Sequence, residues 1–537
     1  MDESRALKDQ DPQTCIIAEN VRPFDNRGKM RMGQRPGIVK FSSAQVNDGS
    51  TRVQMIAHVV TIDANAASGT TIDRRTIKLV AIANTKLNIM TPTSSTEAAT
   101  HVLTFDANAP VIFSTKFYDD LYIFDGIHNY FYDTSADAII DAAATETGGS
   151  VPVNGSDAPK LCCTWGGRLV VSGIDSDPHN WFMSAMNDPL NWNYSPTVLV
   201  ETMAVAGNSA DAAQIGDQIT CLLPYNNDLL WIGCDHSIWQ LTGQPLVGGR
   251  FDLVTDTVGM AWGEPYAKDD RGGVYYMTPG EQPKRITAQN IESRLLLLDM
   301  DATLCRMAWD DVRQGLNVWI TPLTSSVAEH WWYDRRTDGW FRVEYGSKDY
   351  NPVAVHVFDG DSFEDREGLT GSGTGYIMKQ SDGATNDESD AIYSFIRIGP
   401  IQVNEGNGVF VLKSLQAVLS EGSSAVAWRI SAGNSAMDAL ANAANSPGSV
   451  DQSYLLNEDG TRFMLETGNG FLLTQGGEDI GALGEFRTGI RSVVEWPRVR
   501  AFAFYIDLFN ETGSETWSIE QLIASISVIG TSKGRRM

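Results

Sequence analysis

Seven histidines, at positions 58, 101, 128, 179, 236, 330 and 356, are the side chains best placed in this 537-residue sequence for proton transfer or zinc binding. No two stand at the H-x-x-x-H spacing that brings both imidazoles to one helix face, so neither a metal site nor a metalloprotease is expected. There is no G-x-x-x-x-G-K-S/T cradle for phosphates and no G-x-S-x-G turn to expose a nucleophilic serine. Gly371-Ser372-Gly373-Thr374-Gly375 is rich in glycine but fits neither pattern. Asp175-Ser176-Asp177, and Asp359-Gly360-Asp361 with Glu364 and Asp365, offer oxygens to calcium, but neither run has glycine and a terminal glutamate at the fixed offsets of a calcium loop, so they read as solvated turns. Six cysteines, two of them adjacent (Cys162, Cys163), show neither a disulfide framework nor C-x-x-C spacing and read as reduced core residues. No catalytic residue, metal or cofactor is expected, and the chain reads as a non-enzyme.

The elements around these residues are mostly strands. Short runs rich in Val, Ile, Tyr, Phe and Trp, such as Thr76-Ile77-Lys78-Leu79-Val80-Ala81-Ile82, end at Gly, Asn, Asp or Pro. A loose repeat, in which a polar or Gly turn leads into an apolar strand, has anchors at Leu121, Leu169, Leu229, Val274 and Leu316. That spacing suits the blades of a β-propeller, which recur every ~40–50 residues, with a multi-sheet sandwich as the other possibility. Tryptophans in these strands are expected to fill the space between blades. After residue 390 the repeat stops and strands lengthen, which suggests a β-sandwich. Asn434 or Ser435 can cap a short helix through Met437 and Leu440, stopped by Pro447. The expected fold is all-β: an extended arm and first strand over 1–50, a propeller-like domain over 51–390, and a sandwich over 391–537. A projecting β-meander at about 453–477 is a candidate for contact with another subunit.

Charge divides along the same lines. Residues 1–50 carry eight basic and seven acidic side chains, residues 51–390 carry 22 and 45, and residues 391–537 carry 11 and 15, within a formal charge of −26. A generic nucleic-acid binder acting through positive charge is thereby excluded. No run approaches the ~18 apolar residues of a membrane span. Met1-Asp2-Glu3-Ser4-Arg5 lacks the basic start and apolar stretch of a secretory signal, so export by that route is not expected.

The most distinctive segment runs from Glu19 to Gly37. Between Arg22 and Arg35 it holds five basic residues and one acid, broken by Pro and Gly, and it reads as an extended arm. Folding back onto its own acidic propeller is one role for it. The other is docking onto an acidic neighbour through Arg22, Phe24, Arg27, Lys29, Arg31 and Arg35, where arginine forks pair with carboxylates.

The arm Asn20-Val21-Arg22-Pro23-Phe24-Asp25 with Gly33-Gln34-Arg35-Pro36-Gly37, the strands Trp165-Gly166-Gly167-Arg168-Leu169-Val170 and Asp228-Leu229-Leu230-Trp231-Ile232-Gly233, and the final Gly534-Arg535-Arg536 resemble bacteriophage virion proteins. More narrowly, the chain is similar to the tail nozzle (tail tubular protein B) family of short-tailed phages. The resemblance is carried by diffuse β patterning over most of the chain, which is shorter than many nozzles. It implies a propeller-bearing subunit of a homohexameric ring around the DNA ejection channel, below the portal and a tail adaptor ring, with tail fibres or spikes as further partners. It also implies a place in the virion tail, reached from the host cytoplasm during assembly, and no catalytic residues.

An acidic lining would keep DNA from binding as it passes, because like charges repel within a Debye length of ~8–10 Å. Acidity also serves solubility alone. Two rivals stand beside the nozzle: a glycan-binding or glycan-hydrolysing propeller, and another virion part such as a stopper or fibre-attachment protein. Carboxylates are abundant enough for a glycosidase pair, but the Ser-x-Asp-x-Gly-x-x-Trp turns of sialidase-like propellers are missing.

Overall fold

Short antiparallel strands that alternate apolar and polar residues must have their faces covered and their edges resolved. The computed structural model describes residues 15–24, 28–46, 51–62, 75–91, 96–102, 105, 109–150, 152, 157–195, 200–207, 215–278, 302–323, 328–359, 366–403, 408–443, 470–475, 479–488, 493–510 and 516–531. Seven sheets in it stand around a ring. Blade 1 holds Met55–Ile62, Arg75–Ala83, Lys86–Thr91 and Thr96–Val102; blade 2 holds Phe113–Phe117, Asp120–Phe124, Asn129–Asp133 and Ala138–Asp141. Blade 3 is built from Leu161–Trp165, Arg168–Ile174, Asp177–Met183 and Val205–Ala206, and blade 4 from Ile219–Pro224, Leu229–Cys234, Ile238–Thr242 and Arg250–Thr255. Blade 5 shows Tyr266–Lys268 and Val274–Tyr276 among the described residues. Blade 6 is Thr303–Asp310, Gly315–Pro322, Glu329–Asp334 and Gly339–Val343; blade 7 is Val355–Phe358, Glu367–Gly371 and Ile377–Ser381, completed by Gly37–Lys40.

First strands of consecutive blades are neighbours, blade 5 being entered through Gly263–Glu264, and blade 7 lies against blade 1, so the ring closes. The five sequence anchors all fall on the second strand of their blades, blades 2 to 6. Tryptophans 165, 181, 192, 309, 319, 331, 332 and 340 are buried. Each such burial contributes about 1.5–3 kcal/mol, and the Trp165 indole N–H also donates to the Asn226 carbonyl, tying blade 3 to blade 4 at 2.8 Å.

Beyond residue 390, two sheets form a sandwich. The first contains Phe395–Gln402, Ala503–Phe509, Val426–Gly433, Asp479–Phe486 and Gly470–Gln475; the second contains Gly408–Leu419, Ser518–Thr531, Val493–Glu495 and Val499–Ala501. Phe410, Leu412 and Leu415 pack against Trp428, Phe504 and Ile506 between them. Helix Ala436–Ala443 starts where the Ser435 hydroxyl accepts the Asp438 N–H at 3.1 Å. Most of the expected meander lies outside the described residues; its part Gly470–Gln475 is a strand paired with Asp479–Phe486.

The expected extended arm is corrected by the structure. Cys15–Glu19 lies parallel to Gly339–Val343 and antiparallel to Phe395–Gln402, so blade 6 and the first sandwich sheet are one sheet of eleven strands. Val21–Phe24 and Met30–Gln34 form a hairpin that joins the second sandwich sheet at Ser518 and Ile519. Gly37–Lys40 then crosses to blade 7. Proline and glycine supply turns here rather than slack, because Ala18, Val21 and Ile38 are apolar enough to be buried. Residues 15–40 therefore belong to both modules.

Candidate functional site

The six basic and aromatic residues singled out in the sequence fall into two groups. Arg35 is almost wholly buried: its guanidinium holds Asp387 through two bonds of 2.8 and 2.5 Å. It also donates to the Asn20 side-chain oxygen and to the carbonyls of Pro36 and Glu344, at 2.8 to 2.9 Å. One side chain thus ties the N-terminal strands to the loop after blade 6 and to the end of blade 7. Arg22 is buried over the Trp332 ring, 4.6 Å from its centroid. Burial, helped by the Arg35 charge, pulls its pKa down to about 9. Phe24 is covered by the Arg336 guanidinium at 3.7 Å. Arg31 pairs with Glu520 of the C-terminal strand at 3.2 Å. Lys29 is exposed at the hairpin, and Arg27 lies outside the described residues. Arg35 therefore fastens the chain to itself through a buried ion pair and its hydrogen bonds, and Arg22 does so by stacking on Trp332.

Two polar clusters were invisible in the sequence. The first lies in a cavity of about 170 Å³ lined mainly by the first strands of blades 1, 2, 6 and 7, with Glu264 at the entry to blade 5. His58 Nδ1 and His356 Nε2 are 2.6 Å apart, so one ring donates to the other. Burial lowers the pKa of both: His356, next to His58, falls to about 3, and His58 is also depressed by Lys116. Glu264 pairs with Arg306, and Lys116 donates to the Val60 carbonyl at 3.3 Å. The two histidines are 298 positions apart. Only ring closure makes their strands neighbours, and no local spacing announces that.

The second cluster lines a groove of about 230 Å³ between blades 6 and 7, walled by Trp309, Trp319 and Tyr345. Arg313 bridges Asp310 and Asp382 at 2.8 and 2.7 Å, Lys379 holds Glu367 at 3.0 Å, and Arg366 holds Asp311. Burial raises the Asp311 pKa, with Arg366 opposing it. Each charge named here has its counter-charge inside the groove. Asp175 accepts from Lys160 at 2.6 Å in an exposed turn, Asp359 lies 3.6 Å from Arg366, and residues 360–365 lie outside the described residues. Among the described residues no three His, Cys, Asp or Glu side chains gather as a metal site. All six cysteines are free, and four are buried.

In the quoted strand Trp165–Val170, Gly166 and Gly167 take positive φ in the hairpin turn, and Arg168 is buried, donating to the carbonyls of Ser184 at 2.7 Å and Met203 at 2.5 Å. It braces a blade. Gly534-Arg535-Arg536 lies outside the described residues.

These features define an all-β protein of the propeller-like class with a fused sandwich. No protein-family model matches the chain, and a search of curated proteins gives no match. Among solved structures it is similar to the extracellular domain of a B. thetaiotaomicron hybrid two component system, at 10% identity, TM-score 0.30, over 90% of this chain and 46% of that one. It thus spans less than half of that chain's length. It is also similar to BBS1N in complex with ARL6DN, at 12% identity, TM-score 0.35, over 66% of this chain and 100% of the other. A third is Kluyveromyces lactis Hsv2, at 10% identity, TM-score 0.28, over 49% and 81%. No helix among the described residues is long and apolar enough to cross a membrane.

Proposed function

We propose that the chain is a structural, non-catalytic subunit of a phage tail nozzle, six copies of which ring the channel through which DNA is ejected. The observation that carries this reading is mechanical: one eleven-stranded sheet runs from blade 6 through Cys15–Glu19 into the sandwich, so the two modules bear load as one piece. A second feature constrains how such a subunit works. Where blades 1, 2, 6 and 7 meet, the inner strands leave the Glu264–Arg306 ion pair and a cavity of about 170 Å³, room for a few waters. DNA would therefore pass between copies around a shared axis, not through one propeller. The acidic stretch 51–390 suits a wall that does not grip phosphates. Of the six residues singled out in the sequence, Lys29 is exposed, and it would be the one to meet an acidic adaptor ring or a neighbouring copy. The virion tail is the site of action, and the host cytoplasm the place of assembly.

Negative-stain images of the purified full chain, and of particles carrying it, test the reading. A six-fold ring with a hole one duplex wide is expected; a solitary molecule at every concentration, absent from particle tails, would overturn it. The glycan rival has one observation of its own, the groove that combines Trp309, Trp319 and Tyr345 with the buried, raised-pKa carboxyl of Asp311. Polysaccharide cleavage that vanishes in Asp311→Asn would favour it.

A further inference from the structure

Strand Ser518–Thr531 is the longest in the structure, at 14 residues, and pairs along one side with Gly408–Leu419 almost throughout. Its other side meets Met30–Gln34 only at Ser518 and Ile519. From Glu520 onward that edge has no partner strand among the described residues. Eleven consecutive residues there, 521–531, carry no charge in a chain of net charge −26. Cross-strand register puts Ile526 and Val528 on the face of Leu412 and Phe410, and the alternation puts Ile523 on the opposite face. Ile523, Ile526, Val528 and Ile529 are between 38% and 53% exposed. The devices that normally guard an edge, a lysine, a proline or an inward charge, are absent over 521–531. Of the two register shifts along it, the one near Ser414 puts its extra residue, Lys413, in the partner strand, whereas the one near Val409 puts Ile529 as the extra residue of Ser518–Thr531 itself, at the far end of the edge.

A second apolar edge lies in the propeller. Arg250–Thr255 is the outermost strand of blade 4, paired on one side with Ile238–Thr242. Val247, just before it, and Leu253 and Val254 within it are 46–52% exposed. Its charges, Arg250 and Asp252, pair with each other at 2.8 Å. This edge too is locally neutral.

We infer that these two edges bind each other between copies: strand 520–531 of one chain adds to the blade 4 edge of the next, a head-to-tail contact. Two chains of charge −26 repel, so a stable contact needs neutral apolar ground on both sides, and these two strands offer it. Because the two patches differ and belong to different modules, the contact is heterologous, the type that propagates and closes into a ring. Main-chain pairing would supply affinity and the exposed Ile and Val side chains register. The inference rests on the ring reading above and names the interface that builds it.

The test uses two full-length double variants, Ile526→Glu with Val528→Glu, and Leu253→Glu with Val254→Glu, each checked for unchanged circular dichroism and thermal midpoint. Light scattering should show a closed assembly for the unaltered chain and monomers for each variant alone, with apparent dissociation constants raised at least about 100-fold. Mixing the two variants should give a 1:1 dimer, since each keeps the patch that the other lost. Rings that persist in both variants would overturn this interface and leave the ring reading standing. A blade 4 variant that still dimerises alone, through strand against strand, would overturn the head-to-tail contact. An unaltered chain that stays monomeric throughout would sink both.

Discussion

The propeller and the sandwich deal with the same problem, the unpaired edge of a sheet, in opposite ways. The propeller's seven sheets stand in a ring, and Gly37–Lys40, drawn from the far end of the chain, completes the last of them. The sandwich shares one sheet with blade 6 and leaves its C-terminal strand open from Glu520. Their interiors differ as well. Blades meet mainly through clusters of aliphatic and aromatic side chains, whereas the sandwich sheet buries a charged triad: Asp507 accepts from Arg397 at 2.8 Å and from Arg429 at 2.6 Å, with helix Ala436–Ala443 above it. Ring closure covers the faces of the blades and leaves only short outer edges, such as that of blade 4, whereas the sandwich is anchored at one edge and leaves a long one open.

If the shared sheet couples the modules, damage to the sandwich must reach the propeller. Asp507→Ala is expected to have the largest effect, because it leaves two buried guanidinium groups without a counter-charge; about 3–5 kcal/mol should be lost. Calorimetry should show one transition at lower temperature. Two transitions, the upper one unmoved, would mean that the modules unfold independently and the contrast drawn above is one of two separate domains. Arg35→Ala strikes the joint itself and strands the buried carboxylate of Asp387, at a cost of about 3 kcal/mol. Limited proteolysis should then cut between residues 28 and 41 faster than in the unaltered chain. Arg35→Lys should recover only part of the loss, since an ammonium cannot reproduce the paired fork.

Sequence patterning located five of the seven blades because each has a polar turn feeding an apolar second strand, as at Leu169 and Leu229. Blades 1 and 7 escaped. Blade 1 has long β-branched strands and no aromatic residue in its third strand, Lys86–Thr91, and blade 7 is complete only with residues from the other end of the chain. The Ser435 cap and the burial of the tryptophans were legible from residue type alone. What misled was composition: five basic residues with Pro and Gly suggested an arm, yet the apolar residues that flank them, Val21 and Ile38 among them, decide the outcome by being buried. Whether Arg35 faces a neighbour or Asp387 is a question of contacts more than 350 residues apart, beyond the reach of local spacing. The cavity histidines escaped for the same reason.

Those histidines sharpen the contrast in a milder way, since they tie the propeller's first and last blades and leave the sandwich alone. His356 is held neutral by burial and by His58, with its pKa near 3 in the fold against about 6.5 in an unfolded chain. The stability that comes from keeping it neutral is fully present above about pH 6.5 and is lost as the pH falls toward 3, because the unfolded chain takes up a proton that the folded one refuses. His330, buried and depressed to about 4, adds to the same slope. Urea midpoints should therefore fall from pH 7.5 to pH 5, and His356→Gln should flatten that fall. An unchanged slope in the variant would mean that the pair is solvated and the ring seam is held by packing alone.

The smallest effect expected lies in the helix that covers the charged triad. Ser435→Ala removes the oxygen that accepts the Asp438 N–H, which should cost about 1 kcal/mol. The size of the loss matters less than where it appears. Arg397 donates to the Ala443 carbonyl at the helix end, so a frayed helix exposes the Arg397–Asp507 pair to water. Hydrogen exchange should rise along Val426–Gly433 and Ala503–Phe509 while the blade amides stay protected. Faster exchange at the blades would instead show the two modules sharing even this local opening, and the difference between a closed ring and an anchored sandwich would then be one of edges only.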